Sequence, residues 1–390
     1  MSNPFSDLLV VSVEQALAAP LCTSRLVDMG ARVIKIERTE GDFARGYDAA
    51  ANGDSSYFLW TNHGKESVVL DLKSKKDINL MKQLLKKADI FVQNLAPGVM
   101  KRLGFGSEDM RKKNSRLITC DISGYGETGP ASDLKAYDFL VQAESGLVDI
   151  SGGPNELGRI GVSICDIGAG MTAHAAIVEA LFYRERTGEG YGVNVSLFGV
   201  ASDWMNVPLL QYKYGGKSPR RVGLMHPSIQ PYAAFSVKDG SKVIIAIQNE
   251  REWARFCSQV LEKPELATDP LFNSNNARVK NIEALHETIN NTSNQLSASE
   301  FTNLLKQADI AFGSVNSVSA LSDHIGLNLV NVKTTKGDEV TMAAPPISRT
   351  IDRVKSLPSP PKLGEHTSKV FKEFGTVSYT HLTLPTTLSV

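Results

Sequence analysis

The segment LLVVSVEQALAAPLCTSRLVDMGARVIKIE, residues 8–37, decides the fold of this chain. It begins and ends with short apolar runs rich in β-branched residues, 8–13 and 32–37, which are typical of buried strands. The residues between these runs fit a helix that has Pro20 in its first turn and Gly30 near its end. Because a strand, a helix and a second strand follow one another within about 30 residues, the segment predicts a βαβ unit with parallel strands.

The same alternation continues along the chain. Strands are predicted at 67–72, 89–94 and 116–123 with helices between them, and a helical pattern over 166–186 precedes another strand, GVNVSLF. Strands that alternate with helices form parallel sheets covered on both faces. We therefore expect an α/β fold, with a large Rossmann-like domain built on a mainly parallel sheet.

A change in amino-acid composition and in the pattern of predicted elements near residue 201 indicates a second domain. Gly, Pro and basic residues are followed by a hairpin pattern that turns at Asp239-Gly240 and then by amphipathic helices, which predicts a smaller α+β domain. We expect the large domain to comprise 1–200 and 330–377 and the small domain 201–329. The stretch 378–390 has no Lys, Arg, Asp or Glu, and we expect it to be a non-native tail.

The composition narrows the function classes. The 390 residues include 42 Lys and Arg and 42 Asp and Glu, so the net charge is zero and no global field favours a nucleic acid. The start has no signal-peptide pattern, and we found no long uncharged apolar run, so we expect no membrane partner and a cytoplasmic protein, with a mitochondrial location less favoured. The four cysteines are far apart, and no cluster of His, Asp and Glu is evident, so we expect no metal.

One motif suggests a nucleotide. GYGETG, residues 124–129, matches the glycine pattern of dinucleotide-binding folds and follows a predicted strand. The fingerprint requires a helix to open at the third glycine, whereas Pro130 follows here. A plain glycine-rich loop is the better interpretation, and a nicotinamide or flavin enzyme stays open as an alternative.

A lone acid, Asp166, interrupts the small and apolar run GRIGVSICDIGAG. An acid at this position commonly caps a helix, where free N–H groups and the helix dipole favour its ionised form. An ionised carboxylate is also a possible nucleophile. Gly161, Gly168 and Gly170 would then let a substrate approach the backbone closely.

Six basic residues lie mostly at or after the carboxyl ends of the predicted strands, the edge at which open α/β sheets bind ligands. Solvated surface charge is the alternative for each of them, but their grouping favours an anionic ligand such as a phosphorylated cofactor. The residues concerned are Lys35, Arg38, Arg45, Lys65, Arg102 and Lys135.

Taken in order, nine segments resemble the family III coenzyme A transferases, which are related to formyl-CoA transferase, carnitine CoA-transferase and α-methylacyl-CoA racemase. The resemblance covers about residues 8–375. The segments are AAPLCTSRLVDMGARVIKIER, GDFAR, NHGKESVVLDLK, QNLAPGVMKRLGFG, SGYGETGP, KAYDFLVQAESGL, GVSICDIGAG, RTGEGYGVNVSLF and PPKLGEHT. It implies a Rossmann-like large domain made from both chain ends, a smaller domain between them, and two chains interlocked in a homodimer.

The resemblance also implies residue roles. Asp166 corresponds to the family's nucleophile and Tyr137 to an active-site tyrosine. Formyl-CoA transferase has a glutamine where this chain has Leu17, and Gln15, two residues earlier, is taken as its counterpart. The implied coenzyme A contacts are Arg38, Leu70, Asn94, Leu95, Arg102 and Lys135.

The chain looks most similar to the branch that acts on C4 and C5 dicarboxylates. This implies transfer from succinyl-CoA to itaconate, mesaconate, citramalate or malate, through an enzyme-bound aspartyl-CoA thioester. A second substrate carboxylate needs a cation, for which the candidates are Arg45, Arg220, Arg221 and His226. Intramolecular C1–C4 transfer in mesaconyl-CoA is an alternative. Racemisation is less favoured because the family's racemases have a histidine within the segment that corresponds to 138–142, where this chain has none. A coenzyme A-binding protein without catalysis is a further alternative.

Overall fold

The computed structural model describes residues 3–348, 350 and 356–375, so the expected tail at 378–390 lies outside the described residues. The chain forms two compact units. The larger consists of Met1–Ser145, Gly161–Met205 and Asn328–Val390, and the smaller of Gly146–Ile160 and Asn206–Leu327. Residues 146–160, which the sequence analysis assigned to the large domain, thus belong to the smaller unit.

A six-stranded, fully parallel sheet forms the centre of the larger unit, which confirms the expected α/β class. Its strands are β1 (Leu9–Val13), β2 (Arg32–Glu37), β3 (Glu66–Val69), β4 (Ile90–Gln93), β5 (Ile118–Ser123) and β6 (Gly192–Ser196). The order β3-β2-β1-β4-β5-β6 is that of a doubly wound Rossmann sheet. The chain direction across the sheet reverses between β1 and β4, and in such folds ligands bind beside the carboxyl ends of these two strands.

The remaining strands form two smaller sheets. β7 (Tyr232–Ser236), β8 (Lys242–Ala246) and β9 (Ala311–Ser314) form an antiparallel sheet in the smaller unit, and the β7–β8 hairpin turns at Gly240 as expected. β10 (Leu329–Lys333), β11 (Glu339–Ala343) and β12 (Ser356–Leu357) form the third sheet, in the larger unit.

Sixteen α-helices lie within the described residues. They are α1 (Ala18–Val27), α2 (Ser56–Asn62), α3 (Lys75–Lys87), α4 (Val99–Arg102), α5 (Ser107–Lys113), α6 (Asp138–Glu144), α7 (Leu147–Ile150), α8 (Ile164–Thr187), α9 (Leu197–Trp204), α10 (Asn206–Gly215), α11 (Glu250–Gln259), α12 (Asn275–Lys280), α13 (Ile282–Ser293), α14 (Ala298–Gln307), α15 (Val318–Ser322) and α16 (Thr367–Phe374).

The large sheet is covered by helices that differ in amphipathicity. Leu80, Met81 and Leu84 recur at helical spacing in α3 and pack in one core cluster with Val11 of β1 and Val370 of α16. α8 packs against α1, α9 and strands β5 and β6.

By length and composition α8 could also span a membrane, with a mean hydropathy of 1.3, but the core helix of a soluble protein passes the same test.

The segment that contains His366 and Thr367 covers β3, the edge strand of the sheet. The Val69 N–H donates to Thr367 Oγ1 (3.0 Å), the Ser67 N–H donates to His366 Nδ1 (3.3 Å), and the His366 N–H donates to the Ser67 carbonyl (2.9 Å). Polar groups of an edge strand that would otherwise face solvent are therefore paired by the C-terminal segment.

Candidate active site

Asp138, rather than Asp166, caps the helix that carries the lone acid. Its Oδ1 accepts the backbone N–H of Cys165 (2.8 Å) and of Asp166 (3.3 Å), and its Oδ2 accepts from Gln142 Nε2 (2.7 Å). The N-cap position of α8 belongs to Ser163, whose side chain makes no capping bond. The expectation that Asp166 is the N-cap was therefore wrong, because a carboxylate from α6 already takes the free N–H groups of the first turn.

This arrangement sets the charge state of Asp166. Burial, and secondly the negative charge of Asp138, raise the pKa of the Asp166 carboxyl from 3.8 to about 7. We expected the helix start to favour the ionised form, so the structure reverses the direction of the shift. Near neutral pH part of the population is ionised, and this carboxylate is more basic than an ordinary aspartate.

Two tyrosines share the surroundings of Asp166. The pKa of the Tyr47 phenol is raised to about 12 by burial and by the charges of Asp42, Asp166 and Tyr137, so Tyr47 lies within electrostatic range of each of them. Tyr137 directly precedes α6 and is largely exposed. The Tyr47 ring also packs edge-on against Tyr57, with centroids 5.4 Å apart. Sequence reasoning missed Tyr47, because a single aromatic residue after GDFAR carries no distinctive signal.

The glycines that follow Asp166 serve helix packing. A Cβ atom at Gly168 would lie 2.3 Å from the Trp204 ring, and one at Gly170 would lie 2.5 Å from the Ala18 carbonyl oxygen. These contacts correct the expectation that Gly168 and Gly170 admit a substrate; Gly161 has open space around it. Gly170 lies four residues, about one turn of α8, beyond Asp166. Because α1 packs closely against α8 at Gly170, the loop that precedes α1 is brought towards Asp166.

A cleft of about 610 Å³ lies beside the carboxyl ends of β1, β2, β3 and β4. Gln15, Arg38, Leu70 and Leu95, four of the predicted site residues, line it together with Lys73, which sequence reasoning missed. Leu17, which stands where formyl-CoA transferase has its glutamine, is buried, whereas Gln15 lines the cleft.

Three predicted coenzyme A contacts lie elsewhere. Asn94 binds the backbone of Gln15: its Oδ1 accepts the Gln15 N–H (2.9 Å), and its Nδ2 donates to the Gln15 carbonyl (2.8 Å). Arg102 is exposed on α4, and Lys135 is exposed in the loop before α6. The structure thus pairs Asn94 with the backbone of a residue that lines the cleft and leaves Arg102 and Lys135 on the surface.

Three of the clustered basic residues are committed to internal pairs. Lys35 and Lys65 are fully buried and donate to Asp42 (2.7 Å) and Glu14 (2.6 Å) respectively. Their interpretation as part of an anion-binding edge was therefore wrong.

The guanidinium of Arg45 is also committed. It donates to both carboxylate oxygens of Glu37 (2.9 and 2.7 Å) and to the Pro361 carbonyl (3.0 Å), and it stacks on Phe58, 3.9 Å from the ring centroid. The Arg45 side chain is therefore held inside the larger unit, which counts against it as the cation for a second carboxylate.

The remaining candidates for substrate binding belong to the smaller unit. His226 Nδ1 accepts the Ser228 N–H (3.2 Å), so in the neutral imidazole the proton is on Nε2, which is left as a donor. The His226 ring stacks on Tyr232, with centroids 5.4 Å apart. Arg221 Nη1 donates to Asp149 Oδ1 (3.0 Å) and to the Asp149 carbonyl (2.8 Å). His226 thus makes fewer internal hydrogen bonds than Arg221, and Arg220, the third candidate in this unit, is exposed.

The GYGETG motif lies in a loop and not at the start of a helix. After β5, residues 124–137 form turns and bends, and the next helix, α6, begins at Asp138, so GYGETG does not open a helix as a dinucleotide fingerprint would.

Within the ranges that the structure describes, no group of three or more His, Cys, Asp or Glu side chains is placed to hold a metal ion.

Comparison with known proteins places these features in context. The model of CoA-transferase family III matches residues 5–367. Acetyl-CoA:oxalate CoA-transferase of Acetobacter aceti is 34% identical over 375 residues, which are 95% of this chain and 96% of that protein. Succinyl-CoA:mesaconate CoA-transferase of Haloarcula hispanica is 32% identical, over 95% of this chain and 96% of that protein. The crystal structure of a CAIB/BAIF family protein from Brucella suis superimposes with a TM-score of 0.82 at 31% identity, covering 96% of this chain and all of that one.

Proposed function

This chain belongs to CoA-transferase family III, and from that premise we propose that it transfers coenzyme A from an acyl-CoA to a dicarboxylate through a covalent thioester on Asp166. The observation that carries the proposal is the environment of Asp166: a largely buried carboxyl whose pKa is raised to about 7 by burial and by Asp138. Perturbed acids of this kind are frequent at functional sites, because a nucleophile gains basicity when its ionised form is poorly solvated.

In the first half of the reaction, Asp166 forms the covalent intermediate. A carboxylate oxygen of Asp166 attacks the thioester carbon of the donor, and the C–S bond breaks to give a mixed anhydride and the coenzyme A thiolate. The thiolate then attacks the Asp166 carbonyl carbon, and the donor acid leaves as its carboxylate. The product of this half-reaction is an aspartyl-CoA thioester, and no net proton transfer is needed.

The second half-reaction reverses these steps with another acid. The acceptor carboxylate attacks the aspartyl thioester carbon and releases the thiolate, and the resulting anhydride is then cleaved by thiolate attack at the acceptor's acyl carbon. Asp166 is regenerated as a carboxylate. Because anhydride and thioester are both activated acyl groups, an aspartate conserves the activation that a serine ester would lose. Water must be excluded throughout, and the low solvation of Asp166 is consistent with that requirement.

The cleft beside β1 and β4 is the proposed coenzyme A site. Arg38 and Lys73 supply cations for phosphate groups, and Leu70 and Leu95 supply apolar surface for the rest of the molecule. Gln15, at the edge of this cleft, is proposed to contact the reacting thioester with its side-chain amide. Tyr137 and Tyr47 contribute hydroxyl groups near Asp166.

The acceptor is proposed to be a dicarboxylate. The two relatives named above transfer coenzyme A to oxalate and to mesaconate according to their names. For this chain we propose succinyl-CoA as donor and itaconate, mesaconate, citramalate or malate as acceptor, with His226 the first candidate and Arg221 the second for the distal carboxylate. Intramolecular C1–C4 transfer in mesaconyl-CoA is the alternative, because it uses the same aspartyl thioester and the same carboxylate.

The protein is further proposed to act as a homodimer. Helix α10 has no buried residue in the single chain, although Val207, Leu210 and Tyr214 are among its exposed apolar side chains. A second copy of the chain would cover this surface in the interlocked arrangement that the family resemblance implies. Sedimentation equilibrium at micromolar concentration should give twice the mass of one chain.

The deciding experiment traps the intermediate. The protein is incubated with succinyl-CoA, treated with hydroxylamine, digested and analysed by mass spectrometry, and we expect a hydroxamate at Asp166. Asp166→Asn should give no adduct, whereas Asp133→Asn, which changes an exposed acid, should give the parental adduct. An adduct at another residue, or full transferase activity in Asp166→Asn, would contradict the proposal. Exchange of coenzyme A between succinyl-CoA and each candidate acid then identifies the acceptor.

A further inference from the structure

The turn between β1 and α1 has an unusual backbone conformation. Ala16 has a φ of +64°, in the left-handed region that residues with a Cβ atom rarely adopt. Gln15, its neighbour, lines the cleft proposed for coenzyme A. Strained residues of this kind persist where surrounding groups over-determine the backbone, and they are frequent at functional sites.

Side chains from two other segments impose this conformation. The Ala16 N–H donates to Asp42 Oδ1 (3.0 Å), and Asn94 pairs with both backbone polar groups of Gln15 (2.9 and 2.8 Å). The backbone of Gln15 and Ala16 is thus held by three hydrogen bonds to side chains distant in sequence. The direction in which the Gln15 side chain leaves the turn depends on these bonds.

Asp42 is itself fixed by a buried cation. Lys35 Nζ donates to Asp42 Oδ2 (2.7 Å) and to Asn62 Oδ1 (2.9 Å), and the side chains of both ion-pair partners are inaccessible to solvent. Asp42 Oδ1 also accepts the Ala44 N–H (2.9 Å). The lysine therefore holds one carboxylate oxygen while the other is directed at the turn.

Stability alone is a weak reason for such a pair, because replacing a buried ion pair by apolar residues of similar size is often neutral or stabilising. The geometry offers another reason for the pair: Asp42, held by Lys35, fixes the backbone of the turn between β1 and α1. We infer that Lys35 and Asp42 are positioning residues for the transfer reaction: they hold Ala16 in the left-handed conformation and thereby direct Gln15 into the cleft. The inference rests on the proposed function, since it concerns the same cleft and the same reaction.

Two double variants test the hydrogen bonds that Asp42 Oδ1 accepts from the N–H groups of Ala16 and Ala44. Lys35→Met/Asp42→Leu removes the pair and the acceptor, and Lys35→Met/Asp42→Asn removes the same charges but keeps an Oδ1 acceptor. We expect kcat of the leucine variant to fall on the order of tenfold to a hundredfold, because a displaced contact group costs that much. The asparagine variant should stay within about threefold of the parent. Hydrogen exchange measured by mass spectrometry should be faster over the peptide containing residues 14–17 in the leucine variant alone.

A matched control removes another buried polar pair, a histidine and an aspartate, at the far end of α1. His63 Nε2 lies 2.8 Å from Asp28 Oδ1, and both side chains are nearly inaccessible. The variant Asp28→Leu/His63→Met should lose stability without changing kcat per folded molecule. If it lowers kcat as much as the leucine variant does, general loosening explains both results and the inference fails.

The outcomes separate this inference from the proposed function. If Asp166→Asn keeps full activity, the proposed function fails. If Asp166→Asn is inactive but Lys35→Met/Asp42→Leu keeps the parental kcat and exchange rate, the function stands and the positioning role is refuted. Should the leucine variant not fold, Ala16→Val is made instead, because a β-branched residue disfavours the left-handed conformation while the ion pair stays intact. Parental kcat in Ala16→Val would equally overturn the inference.

Discussion

Replacing the candidate nucleophile should stabilise the protein, and more so at high pH. In the unfolded chain the Asp166 carboxyl ionises near its ordinary pKa of 3.8, whereas burial and Asp138 raise the pKa in the folded protein to about 7. As pH rises from about 4 to about 7 the unfolded chain loses this proton and the folded chain retains it, so ionisation favours unfolding. Asp166→Asn removes the ionisation and with it this loss of stability.

The magnitude follows from the shift. A difference of about three pKa units corresponds to about 4 kcal/mol above pH 7. At about pH 5.5 only the unfolded state has largely ionised, and the cost is about 2 kcal/mol. The advantage of Asp166→Asn over the parent should therefore grow by about 2 kcal/mol between about pH 5.5 and about pH 8.5.

Urea unfolding of parent and variant at these two pH values, followed by circular dichroism at fixed protein concentration, measures the difference. Asp133→Asn, at an exposed position, serves as the control and should show no such growth. A parent and an Asp166→Asn variant whose stabilities differ equally at both pH values would refute the reasoning. In the parent, kcat/KM should rise with pH through about 7, because the ionised form of Asp166 is the nucleophile.

Three further predictions concern packing, ligand binding and the sheet edge. Gly170→Ala places a Cβ atom 2.5 Å from a backbone oxygen of α1 and should lower the free energy of unfolding by about 1–3 kcal/mol in urea titrations, whereas Gly161→Ala, in open space, should not. Arg38→Ala removes a cation from the cleft and should raise KM for acyl-CoA about tenfold with little change in kcat, measured by initial rates. Thr367→Val removes the acceptor of the Val69 N–H and should cost about 1 kcal/mol, seen as a lower thermal midpoint; an unchanged midpoint would show that water replaces this bond.

Most of the fold could be predicted because its signals are local. The apolar runs at 8–13 and 32–37 correspond to β1 and β2 within one residue, and the helix expected between the strands at 67–72 and 89–94 corresponds to α3. Strand–helix alternation then leaves a parallel sheet as the natural solution. The helical pattern over 166–186 likewise corresponds to α8, apart from two residues at the start of the helix and one at its end.

The parts that sequence reasoning missed depend on contacts between distant segments. Lys35 lies within β2 and Lys65 directly precedes β3, so both look like ligand-binding cations beside the sheet, and only the fold shows that Asp42 and Glu14 neutralise them. Tyr47 becomes a candidate site residue only because the fold brings it within electrostatic range of Asp166. Spacing along the chain carries no information about such pairs.

The capping of α8 shows why the charge state of the candidate nucleophile could not be read from its neighbours in sequence. An acid in the first turn of a helix normally gains from the free N–H groups, which lowers its pKa. Here Asp138, on another helix, takes the N–H groups of Cys165 and Asp166 and adds a negative charge nearby. The same carboxylate that orders the start of α8 thereby makes the ionised form of Asp166 costly. A nucleophile that is costly to ionise in the free protein is more basic once ionised, and the folded structure supplies the free energy for that basicity.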